Sequence, residues 1–322
     1  MNWLITGGCG FIGSALVNKL FEQGGHKLRI VDNNSVGQIS ALNPPVREIT
    51  KTSDITDWSA DHVDVCQFDI LDKESALEIA KGADVIVHLA ANTGVQPSIK
   101  EPHMDCMTNV VGTLNYLDAA RHCGVKRFVF ASSGAPVGEI VPPIHEEVVP
   151  HPVSPYGASK LAGEAYCSAY KKSFDLDTVA LRFGNVYGPG SGHKTSVVAK
   201  FCGAVMRGEA LTVYGDGTQT RDFIYLYDLI EAIEAAVSAE AVGGEVFQIA
   251  TSHETAVNEI IVAITEIAQE MGYDCPPVEK QPPLKGDVMR NFSDTTKAKE
   301  RLGWSARTSL KQGLKITFND FT

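Results

Sequence analysis

What the chain lacks narrows its function first. No apolar run approaches the roughly 20 residues that a membrane-crossing helix needs; hydrophobic residues come in short bursts between charged stretches. The seven cysteines (Cys9, Cys66, Cys106, Cys123, Cys167, Cys202, Cys275) are scattered, odd in number and never spaced C-x-x-C. That pattern argues against a disulfide framework or a zinc site and suits a reducing, cytoplasmic compartment. His88, His145, His151 and His193 lie on separate segments without metal-ligand spacing and read as structural or surface residues. Positive charge is scarce too: 28 Lys and Arg against 39 Asp and Glu leave a net charge of −11. General nucleic-acid binding needs a basic surface and is disfavoured. An anionic ligand must therefore be held by local donors rather than by the overall field. The opening Met1-Asn2-Trp3-Leu4-Ile5-Thr6 has no basic region and does not read as a signal peptide.

What is present is ample core: 322 residues, 44 % of them hydrophobic. Short apolar, β-branched segments recur at Trp3–Thr6, Leu28–Asp32, Val63–Asp69, Asp84–Ala90, Arg127–Ser132 and Thr178–Arg182. They have the two-sided apolar character of strands in a buried parallel sheet. Helical patterns at Phe11–Gln23, Lys73–Lys81, His103–Cys123 and Pro155–Phe174 separate most of them. The rhythm predicts an α/β fold with a Rossmann-like, doubly wound parallel sheet. The connection from Asn33 to His62 reads as irregular, with at most a short helix. After Asn185 the rhythm breaks at Gly188-Pro189-Gly190-Ser191-Gly192. Phe223–Tyr225, Leu229–Ala239 and Glu245–Ile249 read as a return to the sheet. The expected division is one domain of 1–183 plus 223–249, and a smaller, discontinuous one of 184–222 plus 250–322.

The strongest local signal is Thr6-Gly7-Gly8-Cys9-Gly10-Phe11-Ile12-Gly13, which follows a strand and opens a helix. Glycines let backbone N–H groups approach a pyrophosphate, and the helix N-terminus adds a positive dipole. Asp32 ends the next strand nineteen positions after Gly13. A carboxylate there accepts hydrogen bonds from an adenosine ribose and repels a 2′-phosphate, which selects NAD over NADP. Asp69, ending the third strand, is placed to receive the adenine amino group; a surface cap is its alternative.

The second signal is Tyr156-Gly157-Ala158-Ser159-Lys160, with Ser154-Pro155 as its helix start. Tyr and Lys at i, i+4 share a helix face. An ammonium near a phenol stabilises the phenolate and lowers its pKa, giving a general base near neutral pH. Ser132-Ser133 ends the preceding strand, where a hydroxyl can bond a substrate alkoxide.

These stretches resemble the extended short-chain dehydrogenase/reductases, the NAD-dependent epimerase/dehydratases, from end to end. Within them the chain most resembles the UDP-hexose and UDP-N-acetylhexosamine 4-epimerases. The resemblance also rests on His88-Leu89-Ala90-Ala91, Asn109-Val110-Val111-Gly112-Thr113, Arg182-Phe183-Gly184-Asn185-Val186-Tyr187-Gly188-Pro189, Arg221-Asp222-Phe223, Gly286-Asp287, Lys297-Ala298 and Leu302-Gly303-Trp304. It implies that Tyr156 is the base, Lys160 its partner and a ribose ligand, and Ser133 the hydroxyl on the sugar oxygen. It implies NAD contacts at Gly7, Gly10, Phe11, Ile12, Gly13, Asp32, Asn33, Asp69, Ile70, Leu89, Ala90, Ala91 and Asn109. For the UDP-sugar it implies Thr93, Asn185, Val198, Tyr214, Arg221, Asp287 and Asn291. Arginine suits phosphate because its fork binds two oxygens at once. Individual alternatives are a turn residue at Asn185, a salt-bridge partner at Arg221 and plain core at Tyr214. The two long helices, in such a family, form a four-helix dimer interface; core packing is the alternative.

Departures narrow the reaction. The family's 4,6-dehydratases carry Asp and Glu directly after the active-site hydroxyl residue, and UDP-glucuronate decarboxylases need Glu at the second position. Here Gly134 and Ala135 stand there, and neither transfers a proton. Pro136-Val137-Gly138 replaces the usual V-Y-G, and Leu284 replaces a frequent arginine near the C-terminus. Asn291 occupies the position that borders the sugar's C2 substituent, where tyrosine restricts the epimerases to plain hexoses. The expected function is 4-epimerisation of a nucleotide sugar by transient oxidation at C4. Alternatives are a dehydratase or 4-ketoreductase, a UDP-glucuronate 4-epimerase using Thr93, Gln96 or Lys194 on the carboxylate, and a non-catalytic NAD-binding regulator.

Overall fold

The computed structural model describes residues 1–283 and 288–322. Its main sheet contains strands β1 (Asn2–Thr6), β2 (Lys27–Val31), β3 (Val46–Ile49), β4 (Val63–Cys66), β5 (Val85–His88), β6 (Arg127–Ser133) and β7 (Thr178–Phe183). An eighth strand, Glu245–Ile249, lies beside β7 on one edge, and β3 forms the other. The registered pairs from β3 across to β6 are all parallel. β1 lies between β2 and β5, with Thr6 opposite both Val31 and His88. Four consecutive residues of β1, Trp3 to Thr6, are buried, as expected of a strand covered on both faces.

Helices α1 (Phe11–Gln23), α2 (Lys73–Ala80), α3 (Val95–Lys100), α4 (Pro102–Cys106), α5 (Gly112–Cys123) and α6 (Pro155–Phe174) accompany these strands. Asp72 caps α2 by accepting from the Ser75 N–H, and Ser154 caps α6 by accepting from the Gly157 N–H at 3.1 Å. Pro155 stands at the first turn of α6, where no N–H is needed. Leu4, Ile86, Phe128, Phe130, Tyr116 and Leu117 form the middle of this core.

The chain divides into two compact units. The first comprises 1–138, 149–182 and 233–247; the second comprises 139–148, 183–232 and 248–322. The second unit is built from short strands paired two by two. These are β8 (Asn185–Tyr187) with β11 (Phe223–Tyr225), β9 (Leu211–Tyr214) with β14 (Val278–Gln281), and β10 (Thr220–Arg221) with β13 (Thr255–Ala256). The strand Glu245–Ile249 of the main sheet is thus β12. Helices α7 (Val197–Arg207), α9 (Val257–Glu270) and α11 (Leu310–Asn319) bury Phe201, Val205, Ile260, Ile264, Leu314 and Phe318 together. Helix α8 (Leu226–Ser238) spans the division, and α10 (Thr296–Leu302) lies in the second unit.

Three expectations need correction. The connection from Asn33 to His62 contains β3, a short edge strand whose Val-Arg-Glu-Ile lacks the apolar run of the inner strands. Phe223–Tyr225 does not return to the main sheet but pairs with β8, leaving residues 223–232 in the second unit. The helix expected over His103–Cys123 is interrupted by a π-helical segment at Met107–Val111. Such wide turns insert one residue without ending a helix and recur at functional sites.

Candidate active site

The glycine loop joins β1 to α1, and backbone geometry dictates its sequence. Gly7 has φ +70°, and a Cβ there would lie 2.8 Å from the Ala90 nitrogen. A Cβ on Gly13 would lie 2.1 Å from the Gly7 carbonyl oxygen. Gly7 therefore lets the loop pass against the end of β5, and Gly13 lets α1 start against the loop. Phe11 and Ile12 form the first turn of α1, the positive end of the helix dipole. This cradle fits a dinucleotide pyrophosphate.

Asp32 is buried just past β2. One carboxylate oxygen accepts from the Cys9 N–H and the other from the Asn34 N–H, both at 2.9 Å. Each oxygen keeps a lone pair for a ribose hydroxyl. The Asn33 amide donates to Asp69 at 2.9 Å, so these two expected cofactor residues meet beside Asp32. Ile70 packs its side chain where a Cβ on Gly112 would fall, and Asn115 donates to the Ile70 carbonyl. Leu89 and Ala90 are held to β1 through the Thr6 carbonyl and hydroxyl. Ala91 follows them half-buried, and Thr93 is exposed in the loop beyond.

Tyr156 and Lys160 lie one turn apart on α6, and Ser133 ends β6. The Ser133 hydroxyl accepts from the Ala135 N–H at 3.2 Å and lies close enough to Tyr156 to favour the ionised phenol. Lys160 is 3 % exposed; its Nζ donates to the Ala131 carbonyl at 2.8 Å and lies 6.0 Å from the centre of the Tyr156 ring. Gly134 and Ala135 lead into a short 3-10 turn, Ala135–Val137, packed on α6; a Cβ on Gly157 would strike the Ala135 carbonyl. No ionisable side chain stands at either position after Ser133.

The electrostatics correct one expectation. Lys160 does not by itself bring the Tyr156 phenol near neutrality. Burial pushes that phenol up to about 12, against the opposing hydrogen bond from Ser133. Burial also pulls the Lys160 ammonium down to about 8. At this range desolvation outweighs the attraction of the pair.

Sequence reasoning missed the polar network behind this pair. Glu164, one turn beyond Lys160, accepts from Arg182 through both oxygens at 2.8 Å and from the Ser132 hydroxyl. Asn109, in the π-helical segment, donates to the Asn92 carbonyl, Asp105 and Ser159, and accepts from the Asn92 N–H. His88 is fully buried between the Thr6 and Thr113 hydroxyls at 2.9 and 3.1 Å. The Thr113 hydroxyl donates to the Asn109 carbonyl, so it accepts from His88 Nε2–H, and Nδ1 accepts from Thr6. The i, i+4 spacings of Lys160 with Glu164 and of Asp105 with Asn109 are the signals that could have found part of this network.

Within the second unit, Asn185 starts β8 exposed, and its N–H donates to the Asp222 carbonyl at 2.7 Å. Arg221 is half-buried, its Nη1 donating to the carbonyls of Thr220 and Val288. Tyr214 ends β9 half-buried, with Lys200 Nζ 5.9 Å from its ring centre. Val198 is 1 % exposed and packs in the core, so its side chain is structural; only its amide, in the first turn of α7, faces a helix N-terminus. Asn291 is half-buried. Asp287, with Leu284, lies outside the described residues.

A nicotinamide-dinucleotide enzyme of the Rossmann type is the class that this glycine loop, acid and Ser-Tyr-Lys set define. A model of the NAD dependent epimerase/dehydratase family matches residues 3–250, and the chain belongs to that family, whose cofactor is NAD. It is similar to a UDP-glucose 4-epimerase of Mycolicibacterium smegmatis, 36% identical over 100% of this chain and 98% of the relative. Among solved structures it is similar to the UDP-glucose 4-epimerase of Thermotoga maritima with UDP-glucose (38% identity, TM-score 0.89), covering 100% of this chain and 98% of that one. It is also similar to a UDP-N-acetylglucosamine 4-epimerase of Methanobrevibacter ruminantium in complex with UDP-N-acetylmuramic acid (28% identity, TM-score 0.88), covering 99% and 97%. Among the described residues no helix is long and apolar enough to cross a membrane.

Proposed function

We propose that the protein is a UDP-hexose 4-epimerase whose sugar pocket also admits a 2-acetamido group. The observation that carries this reading is the buried Lys160, its Nζ 6.0 Å from the centre of the Tyr156 ring one turn away, beside a Ser133 that is followed by Gly134 and Ala135. A proton can be moved at one oxygen, and nothing beside it can eliminate water or assist decarboxylation. The relatives named for 4-epimerase activity support the reaction class.

Bound NAD supplies the hydride acceptor and donor, and its oxidised ring adds a positive charge that favours the phenolate. Asp32, with Asn33 and Asp69, would hold its adenosine end, and Gly10 to Gly13 its pyrophosphate. Tyr156 takes the proton from the sugar 4-hydroxyl and returns it at the end; Ser133 orients that oxygen. Lys160 steadies the phenolate while the 4-keto sugar turns over. Arg221, Asn185, Asp287 and the Val198 amide hold the diphosphate and ribose, and Tyr214 the base. They keep the intermediate from leaving as it turns. Asn291 leaves room beside C2 and offers an amide to an acetamido group. Two copies are expected to pair through α5 and α6, the latter leaving Tyr166 and Phe174 exposed.

The test is a panel of UDP-glucose, UDP-N-acetylglucosamine and UDP-glucuronate, without added reductant, with products read by NMR. The proposal expects 4-epimers of the first two, with Asn291→Tyr selectively removing the acetylated one. A 4-keto-6-deoxy product or released CO₂ refutes the reaction. An unchanged preference in Asn291→Tyr refutes the pocket.

A further inference from the structure

We propose that Asp105 is the buried counter-charge of Lys160 and, through Asn109, a positioning residue for the helix that carries Tyr156. This rests on the reading of Tyr156 and Lys160 as the working pair. Asp105 lies in α4 and is 1 % exposed. One carboxylate oxygen accepts from the Asn109 amide at 3.0 Å; the other is buried with no hydrogen-bond partner. The same Asn109 nitrogen donates to the hydroxyl of Ser159, the residue next to Lys160, at 3.1 Å. Two hydrogen bonds thus separate the carboxylate from the residue adjoining the lysine.

A buried ammonium needs a compensating charge. The titratable groups around Lys160 are Glu164 on its own helix, Tyr156 one turn back with its ring centre 6.0 Å from Nζ, neutral His88 on β5, and Asp105 of α4, which reaches the adjoining Ser159 through Asn109. Only two are anionic. Glu164 is already committed to both nitrogens of Arg182 and to Ser132. Asp105 has no cation of its own among these contacts, so its charge is the one left for Lys160. In keeping with this, Asp105 opposes the fall of the Lys160 ammonium more than Glu164 does, and it also helps keep the proton on Tyr156. Removing the charge should therefore move both groups toward lower pH together.

The experiment follows Lys160 by NMR of the full chain carrying ε-¹³C-lysine, with the signal assigned by Lys160→Met. Asp105→Asn should lower the Lys160 midpoint by about one unit, and Asp105→Glu should return it. Asp105→Ser, equally neutral, serves if the asparagine variant does not fold. In the wild-type chain the Asp105 carboxyl carbon should show an inflection at the Lys160 midpoint. An unmoved lysine in a folded neutral variant, or a flat Asp105 trace in wild type, overturns the proposal. Where a UDP-sugar is turned over, both limbs of the kcat/KM–pH profile should move down in Asp105→Asn. A purely structural role would lower kcat or stability and leave the limbs in place. If no sugar is turned over, the functional reading fails while the lysine titration still judges Asp105.

Discussion

The charged residues behind Tyr156 in the first unit contrast with Arg221 and the Glu254–Arg290 pair in the second. In the first, Lys160, Asp105, Glu164, Arg182 and His88 are all buried, Glu164 and Arg182 paired with each other and the rest held by neighbouring polar groups. In the second, Arg221 bonds main-chain carbonyls, and the Glu254–Arg290 pair lies at the surface with Arg290 55% exposed. Buried polar groups hold one geometry because every alternative leaves one of them unpaired. Partly exposed charged groups can be exchanged at little cost. One arrangement suits a fixed proton transfer, the other a variable ligand.

The largest test of that contrast is Tyr156→Phe, which should lower kcat by about 10⁴ while leaving UDP-sugar affinity within a fewfold. Turnover near wild type would remove Tyr156 from the chemistry. Next in size, the two ion pairs should differ sharply. Glu164→Gln leaves Arg182 charged and buried, and should cost roughly 3–5 kcal/mol in urea unfolding. Glu254→Gln, at the surface, should cost about 1 kcal/mol or less. Equal losses would erase the distinction between the units.

His88 gives a third test. Burial pulls its imidazole down to about 3. The unfolded chain protonates this histidine near its ordinary value, whereas the folded chain resists until about pH 3. The unfolded state therefore binds the extra proton in that window, and stability falls as pH drops. Between pH 7 and pH 4 this group should account for a loss of about 3 kcal/mol. His88→Gln should remove that part of the acid sensitivity; an identical slope in the variant would show that His88 is not its source. The smallest expected effect lies in the second unit. Arg221→Lys should raise KM for the sugar nucleotide about tenfold with kcat nearly unchanged, since an ammonium lacks the guanidinium fork. A fall in kcat instead would place Arg221 with the chemistry.

Legibility in the sequence followed local agreement between signals. Helices α1 and α6 and the inner strands were readable because apolar periodicity and caps such as Ser154-Pro155 agree locally. β3 was not, because an edge strand of Val-Arg-Glu-Ile needs no continuous apolar face. The π-helical segment leaves no mark, since Met107–Val111 fits a helical pattern equally well. Tyr156, Lys160 and Asp32 could be named from spacing. For Asp105 and Glu164 spacing could point to the residues but not to their roles, because which carboxylate already holds a cation is decided by packing between elements distant in sequence. That the Val198 side chain is core was not legible for a related reason: nothing local separates a core valine from a lining one.

Asp32 has a consequence for engineering. Its two oxygens hold the Cys9 and Asn34 amides, so the residue proposed to select the cofactor is also a strut of the glycine loop. Exchanging it for a small neutral residue to admit a 2′-phosphate would leave two amides without an acceptor and slacken the glycine turn. A successful NADP-dependent redesign must therefore restore both bonds, with a neutral acceptor that reaches both amides, before any arginine is added for the phosphate. Cofactor preference and loop rigidity are, in this chain, one design variable.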